Sequence, residues 1–239
     1  MHYVALFVPC YMSALRPIDA QHAERVLRAL GDEVVLIDGR CCGQPAFNSG
    51  FRAEAKSVGR ELLRAAQPHA TVVVPSGSCT SMVQHYLPGL FEGVRRDGAE
   101  SIGQRFHEFS DYVQTHPRAG ELVLRLDGVV TYHDSCHARR ELGVTSSAIA
   151  LIERIEGLEL RRLQYEEECC GFGGTFSAKQ PEISAAMMAG KLADVTQTGA
   201  RVVVSADLSC LAHLESGARG MGLAVETWTM AELLSRALP

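Results

Sequence analysis

The sequence predicts an α/β fold of two tandem, pseudo-symmetric repeats, each with a small, mostly parallel sheet and with cysteines at the carboxyl ends of its strands. Three observations lead to this prediction. Short apolar strand segments alternate with amphipathic helical segments, the eight cysteines of the 239-residue chain recur in the same order in both halves, and the residues beside them recur too. We place the first cysteine-rich repeat at residues 1–118 and the second at 121–239.

The cysteines give the most specific pattern. Their spacing is C-x30-CC-x36-C in the first half and C-x32-CC-x39-C in the second. Both doublets continue with glycine, in CCGQPAF and CCGFGGTF, and both last cysteines follow a valine run, in VVVPSGSC and VVVSADLSC. Matching spacing and context indicate a tandem duplication. The two sets are Cys10, Cys41, Cys42 and Cys79, then Cys136, Cys169, Cys170 and Cys210.

The first half alternates short strands with helices. A helix is predicted where Ala23, Val26, Leu27 and Leu30 share one face, and Gly31 is a natural stop for it. A second helix ends before a proline. The predicted order is strand 4–8, helix 19–30, strand 34–37, helix 53–66 and strand 72–74.

The second half repeats this scheme, with strand 129–132, helix 146–156, strand 158–163, a helix after Pro181 and strand 202–204. The pair Asp127-Gly128 lies between two apolar runs and is interpreted as the turn of a hairpin.

One further helix is predicted between the halves. Ile102, Phe106, Phe109 and Val113 mark a single helical face, which ends before Pro117. Since no linker is low in complexity, we expect the halves to pack together.

The strand order brings the cysteines together. Strands that alternate with helices form parallel sheets with right-handed crossovers, so all strand carboxyl ends lie at one edge, where open α/β sheets build their sites. Each predicted strand leads into a cysteine-bearing loop. We therefore expect each set of four cysteines to converge at one sheet edge.

Composition and charge exclude several classes of function. With a formal net charge of -5, the chain lacks the basic surface that nucleic-acid binding needs. No apolar run approaches the roughly 20 residues that span a bilayer. The N-terminal MHYVALFVPC is interpreted as a strand rather than a signal peptide. We therefore expect a cytoplasmic protein, in which thiols stay reduced and a cysteine set binds metal or does redox chemistry.

Two kinds of metal centre suit these thiols. Four thiolates fit a closed tetrahedral zinc site. However, adjacent side chains in extended backbone point to opposite sides, so a cysteine doublet is strained on a single ion. An iron–sulfur cluster lets the two sulfurs bind different irons. We expect one cluster per repeat, with zinc as the alternative; thiols that are merely small buried apolar groups remain a third interpretation.

The motifs resemble a known family. The double C…CCG…C pattern resembles the cysteine-rich CCG domain of the heterodisulfide reductase B subunit and the glycolate oxidase iron–sulfur subunit. Five motifs spread over nearly the whole chain are similar to those of the lactate utilization protein A family. They are CCGQPAFNSG, PSGSCTSMV, YHDSCH, CCGFGGTFS and SADLSCLAH. This resemblance implies a non-autonomous oxidoreductase subunit of a system that oxidises L-lactate to pyruvate. Its implied partners are a ferredoxin-like iron–sulfur subunit and a third small subunit.

One departure from that pattern concerns the ligands. Heterodisulfide reductase B subunits end each repeat in C-x-x-C, and here the last position is Met82 in the first repeat and His213 in the second. Methionine is a poor substitute for thiolate, whereas histidine ligates some clusters. His213 is therefore a further candidate ligand, and we expect the second centre to be the more reactive one.

Polar residues also surround the first cysteine of the second repeat. His133, Asp134 and His137 are interpreted either as a proton relay or hydrogen-bonding group at a cluster, or as bystanders. In the second interpretation Asp134 or Ser135 caps the next helix and the histidines are exposed. Two functions follow for the chain: an iron–sulfur redox subunit that carries electrons, or a zinc-binding structural or assembly subunit.

Overall fold

Each half of the chain builds a four-stranded parallel sheet in the computed structural model, which describes residues 2–37 and 40–239. The strand order is β2-β1-β3-β4 in the first half and β6-β5-β7-β8 in the second. The predicted α/β repeats are thus confirmed. The strands are β1 (His2–Phe7), β2 (Asp32–Ile37), β3 (Val72–Val74), β4 (Phe106–Glu108), β5 (Arg125–Tyr132), β6 (Glu156–Leu160), β7 (Val202–Ser205) and β8 (Glu226–Thr229).

Helices connect consecutive strands, as parallel pairing requires. Single π-helical turns at Met82–Tyr86 and Ala138–Leu142 and 3₁₀ turns at Pro88–Leu90 and Ala119–Glu121 complete the connections. Among the described residues, no helix is both long and apolar enough to cross a membrane. The helices are α1 (Cys10–Leu15), α2 (Ile18–Ala29), α3 (Gln44–Asn48), α4 (Arg52–Ala66), α5 (Gly77–Ser81), α6 (Val94–Gly103), α7 (Phe109–Thr115), α8 (Thr145–Glu153), α9 (Thr175–Lys179), α10 (Pro181–Thr198), α11 (Leu208–Gly220) and α12 (Met230–Ala237).

Valine-rich strands occupy the interior of each sheet. All three residues of β3 are fully buried, and so are Val203 and Val204 of β7. In the first sheet β1 pairs with β2 and β3, and in the second β5 pairs with β6 and β7. Because helices cover interior parallel strands on both faces, the sequences of these strands are continuous runs of apolar residues.

The halves pack on each other in a pseudo-symmetric way. The first long helix of each half contacts the last helix of the other half, α2 against α12 and α8 against α7. One hydrophobic cluster runs through this interface and joins Leu27 and Val113 of the first half to Leu151 and Leu234 of the second. Arg16 also crosses it, donating to the backbone carbonyl of Thr227 at 2.7 Å.

The single helix expected between the halves is wrong. Its apolar residues belong instead to α6, β4 and α7. Phe106 pairs with Val72 at the edge of the first sheet. Glu108 then caps α7, its carboxylate accepting from the backbone N–H groups of Ser110 at 2.8 Å and Asp111 at 3.1 Å. A helical spacing of apolar residues cannot distinguish one long helix from two helices around a short buried strand.

The predicted hairpin at Asp127-Gly128 is also wrong. Strand β5 runs through both residues and pairs in parallel with β6, with a register irregularity between Arg125 and Gly128. The bend that the glycine provides is therefore a bulge within one strand rather than a turn between two. The predicted helix 146–156 ends three residues too late, since α8 ends at Glu153 and Glu156 begins β6.

Candidate metal centre

Cysteines from both halves line one cavity of about 540 Å³ at the carboxyl ends of the strands. The predicted convergence of the cysteine loops is confirmed, and the two sets face each other across a shared space. Residues from the first half and from the second half both contribute to its wall. The lining cysteines are Cys10, Cys42, Cys79, Cys136, Cys169, Cys170 and Cys210.

The first set consists of closely spaced free thiols. Each of the eight cysteines, all within the described residues, is unbridged. The Sγ atoms of Cys10 and Cys41 lie 3.5 Å apart, and those of Cys42 and Cys79 lie 3.3 Å apart. Cys42 is buried, with 2% of its surface exposed. The four sulfurs thus lie in two close pairs, and these pairs are linked because Cys41 and Cys42 also interact.

The surroundings of this set favour a thiolate at Cys41. Hydrogen bonds from the Cys10 and Cys42 thiols lower the pKa of Cys41 to about 3, and the backbone N–H of Gly43 contributes from 3.4 Å. The pKa of Cys10 is raised by its hydrogen bond to Cys41 and by burial. One sulfur of the set is therefore prepared as the anionic form that binds metal.

The second set repeats this arrangement. Hydrogen bonds from Cys136 and Cys170 lower the pKa of Cys169, and the backbone N–H of Gly171 donates to its sulfur at 3.3 Å. The pKa of Cys210 is lowered to about 6 by its hydrogen bond from Cys170 together with the neighbouring His133. The second cysteine of the doublet, Cys170, is buried in this half as well.

The glycine after each doublet forms the expected sharp turn. Gly43 and Gly171 have φ angles of 88° and 85°, where other residues are strained. A Cβ on Gly43 would lie 2.9 Å from the carbonyl oxygen of Ala55, and one on Gly171 would lie 2.5 Å from that of Ser184. These two glycines therefore let the doublet loops pack closely against the backbone of α4 and of α10.

His133 lies inside the second set. One of its ring nitrogens and the sulfurs of Cys170 and Cys210 lie within 4.8 Å of one another. Its exposed fraction is 0%, so the interpretation of this histidine as an exposed bystander is wrong. In the part of the chain that the structure describes, neither ring nitrogen makes a hydrogen bond of ordinary geometry, although the ring lies close enough to Cys210 to lower the pKa of its thiol.

The neighbours of His133 have structural partners. The carboxylate of Asp134 accepts from the Thr145 hydroxyl at 2.7 Å. Ser135 is the capping residue, since its hydroxyl accepts from the backbone N–H of Ala138 at 3.4 Å. His137 is half-buried and reaches across the cavity to Gln44, with 3.3 Å between their side-chain nitrogens.

The two fifth positions differ in their surroundings. Met82 is fully buried in the hydrophobic cluster that contains Cys42 and Cys79. The Nε2 atom of His213 lies 3.3 Å from the Ser184 hydroxyl, and burial lowers the pKa of the imidazole. His213 lies beside Phe172 of the doublet loop, with 5.8 Å between the ring centroids, and neither His213 nor His133 is among the residues that line the cavity.

Asp207 is a site residue that the sequence analysis missed. Its buried carboxylate accepts from the hydroxyls of Ser76 at 2.8 Å, Ser78 at 2.7 Å and Ser135 at 2.5 Å. It also accepts from the backbone N–H of Ser78 at 3.1 Å. Alignment of the two repeats would have pointed to it, because Asp207 and Ser76 both stand three residues before the last cysteine.

A second group of potential ligands lies at the opposite end of the first sheet. The buried Asp32 is contacted by His2 at 3.1 Å and by His116 at 3.4 Å. The backbone N–H of Arg118 donates to Nδ1 of His116 at 3.1 Å, which places the ring proton on Nε2, toward Asp32. Tyr112 donates to the same carboxylate at 2.9 Å, so these side chains form a hydrogen-bond network around the buried Asp32.

Comparison with known proteins agrees with this architecture. The family model of the CCG cysteine-rich domain matches residues 4–84 and 130–215. Lactate utilization protein A 1 of Bacillus anthracis is 32% identical over 238 residues, 98% of each chain. Lactate utilization protein A of Halalkalibacterium halodurans is 36% identical over 234 residues, covering 97% of this chain and 96% of that protein.

Among solved structures, a glutamate racemase from Bacillus anthracis is similar at a TM-score of 0.39 and 10% identity, over 98% of this chain and 79% of that chain. That likeness is too distant to bear on the site. The two matches to the domain and the nearly full-length relatives carry the assignment: the chain belongs to the CCG cysteine-rich domain family and, within it, to the lactate utilization protein A family.

Proposed function

We propose that this chain is the redox subunit of a lactate utilization system and that each of its repeats holds one iron–sulfur centre. The observation that carries the proposal is the convergence of both cysteine sets on one cavity. The names of the relatives supply the biological process. The first centre would be held by Cys10, Cys41, Cys42 and Cys79, and the second by Cys136, Cys169, Cys170 and Cys210.

The donor sets fit such a group. Soft thiolates are the ligands that iron–sulfur clusters take. Cys41 and Cys169 are already biased toward the thiolate form by hydrogen bonds from neighbouring thiols and from glycine N–H groups. When bound, an iron–sulfur cluster supplies reversible one-electron transfer.

The protein itself performs three tasks at this site. The Gly43 and Gly171 N–H groups point at doublet sulfurs, where such hydrogen bonds tune a centre's potential. Burial of Cys42 and Cys170 shields one side of each set from water. Asp207 fixes the loops of the two halves to each other, so that both sets keep one geometry.

The chain is expected to work with partners. Its sequence carries no ferredoxin run of cysteines and no dinucleotide-binding motif, so a complete electron path needs other subunits. We propose a ferredoxin-like iron–sulfur subunit and a third small subunit as partners, and the cytoplasm as the location. The repeats at 1–118 and 121–239 are proposed as the two centre-bearing units.

Anaerobic purification with iron, sulfide and zinc analysis tests the proposal. We expect iron and sulfide in comparable amounts and a coloured protein whose absorption bleaches on reduction. Reconstitution with iron and sulfide should raise the melting temperature, because a ligand that binds only the folded state stabilises it. A colourless protein that contains zinc, and that zinc alone stabilises, would contradict the redox function and support a structural or assembly subunit.

A further inference from the structure

His133 occupies a buried position that the cysteines alone do not explain. It follows β5 directly, and its backbone N–H donates to the carbonyl of Val204 at 2.8 Å, which fixes the residue at the end of the sheet. Its side chain is fully buried, and among the described residues neither ring nitrogen makes a hydrogen bond of ordinary geometry. A buried polar group is costly unless it is paired, and the two cysteine sulfurs are the potential ligand atoms that lie beside this ring.

The first repeat shows that the fold does not need a histidine there. Phe7 is the equivalent residue, since both stand three residues before the first cysteine of their repeats. Phe7 is fully buried in the hydrophobic cluster that contains Cys42 and Cys79. His133 likewise lies beside the corresponding cysteines of the second repeat, Cys170 and Cys210. An apolar ring thus fills this position in one repeat, and an imidazole fills it in the other.

The chemistry of the imidazole matches the place where it lies. A ring nitrogen of His133 and two cysteine sulfurs lie within 4.8 Å of one another. Nitrogen and sulfur ligands of one tetrahedral ion are separated by roughly 3.5–3.8 Å, so atoms grouped within 4.8 Å need at most a small shift to share an ion. Histidine also replaces cysteine as an iron ligand in some clusters.

We propose that His133 is a ligand of the second centre and binds metal through a ring nitrogen beside the thiolates of Cys170 and Cys210. The second centre is then a mixed nitrogen–sulfur site, whereas the first is held by sulfur alone. This inference rests on the proposed function only in that the second cysteine set holds metal. The inference makes His133 the histidine ligand of the second centre, whereas the sequence pattern alone had indicated His213.

The first experiment uses Co²⁺ alone, whose visible absorption bands report its ligands. The full-length chain carries Cys41→Ser and Cys42→Ser, so that the second set dominates binding. His133→Phe imitates the first repeat, His133→Cys replaces the nitrogen by a sulfur, and His213→Asn is the matched control. Circular dichroism of each metal-free variant verifies folding, and His133→Cys decides the matter if the phenylalanine variant does not fold.

The expected results differ between the variants. Loss of a partner that merely orients a metal ligand weakens metal binding about 10–100-fold, so loss of the ligand itself should weaken Co²⁺ binding by more than about 100-fold in His133→Phe. His133→Cys should retain Co²⁺ with a stronger sulfur-to-metal absorption band, and His213→Asn should match the parent. Unchanged affinity and spectrum in both His133 variants would overturn the proposal.

The second experiment examines the iron-loaded, otherwise unmodified protein by pulsed electron paramagnetic resonance. A strongly coupled nitrogen is expected in the reduced protein and should vanish in His133→Cys but persist in His213→Asn. A loaded second centre without that coupling would overturn the proposal. If the protein takes up no iron and sulfide, the proposed redox function fails, whereas the Co²⁺ experiment still decides the role of His133.

Discussion

The carboxylate of Asp207 accepts a hydrogen bond from the hydroxyl of Ser76 at 2.8 Å, and the two residues occupy equivalent places in the two repeats. Ser76 caps α5 with its side chain, whereas Asp207 directly precedes α11 and its side chain does not cap that helix. Asp207 instead accepts from Ser78 and Ser135 as well. Its carboxylate therefore ties cysteine-bearing loops of both halves together at their pseudo-symmetry axis.

Asp207→Ala should destabilise the metal-free protein by about 3 kcal/mol or more. The substitution leaves several buried donors without an acceptor, and each such donor costs about 1–3 kcal/mol. Asp207→Asn, which keeps one carbonyl oxygen, should cost less. Unfolding in guanidinium chloride measures both.

Asp97→Asn is the matched control for this prediction, because Asp97 is exposed on α6 and should change the unfolding free energy by less than about 0.5 kcal/mol. Equal stability of Asp207→Ala and the parent would show that the hydrogen bonds of Asp207 do not hold the two halves together.

Asp19 should make stability depend on pH. This carboxyl on α2 is fully buried. Its charged neighbours are Arg16, which lies just before α2, and Glu232 and Arg236 of α12. Burial raises its pKa from 3.8 to about 6, outweighing the opposite effect of Arg16. The folded state thus binds this proton more tightly than the unfolded state, so the contribution to stability is greatest below about pH 4 and declines until about pH 6.

Asp19→Asn should remove this decline. Above pH 6 the variant is expected to be more stable than the parent by about 1–3 kcal/mol, since one pKa unit corresponds to about 1.4 kcal/mol. Below pH 4 the two proteins should be nearly equal. Guanidinium unfolding between pH 4 and pH 8 tests this, and a constant difference across the range would refute it.

The sequence predicts the repeated fold and the place of the cysteines because strand order alone brings strand ends to one edge. It does not predict β4 or β8, since Phe106–Glu108 and Glu226–Thr229 are short edge strands with charged residues. Gly128 fails as a turn signal because glycine serves a bulge as well as a hairpin.

The direction in which each side chain points at the site is harder to predict from the sequence than the order of the strands. His133 and His137 lie in one short motif, yet the first is fully buried among cysteines and the second is half-buried opposite Gln44. The cross-half contacts of Asp207 depend on how the repeats pack, which no local pattern reports. The boundary between the repeats at residues 118–121 stays a prediction.

Gly171→Ala should damage the second centre selectively. The added Cβ would meet the Ser184 carbonyl at 2.5 Å, in a backbone conformation that costs other residues roughly 1–2 kcal/mol. We expect a loss of about 2 kcal/mol in stability and less metal in the second set. Gly190→Ala is the control: it lies in α10 with open space around it and should stabilise by up to about 1 kcal/mol. A second set that loads fully in Gly171→Ala would contradict this.

Cys41→Ser and Cys169→Ser should each remove about half of the bound metal. Each replaces the sulfur that its own set prepares as a thiolate, through hydrogen bonds from Cys10 or from Cys136 and from the following glycine. The two sets have separate hydrogen bonds, although they share one cavity. The double variant should therefore hold almost no metal. Metal analysis of the single and double variants checks this, with circular dichroism to verify folding. If either single substitution removed all the metal, the cavity would hold one centre common to both repeats rather than two.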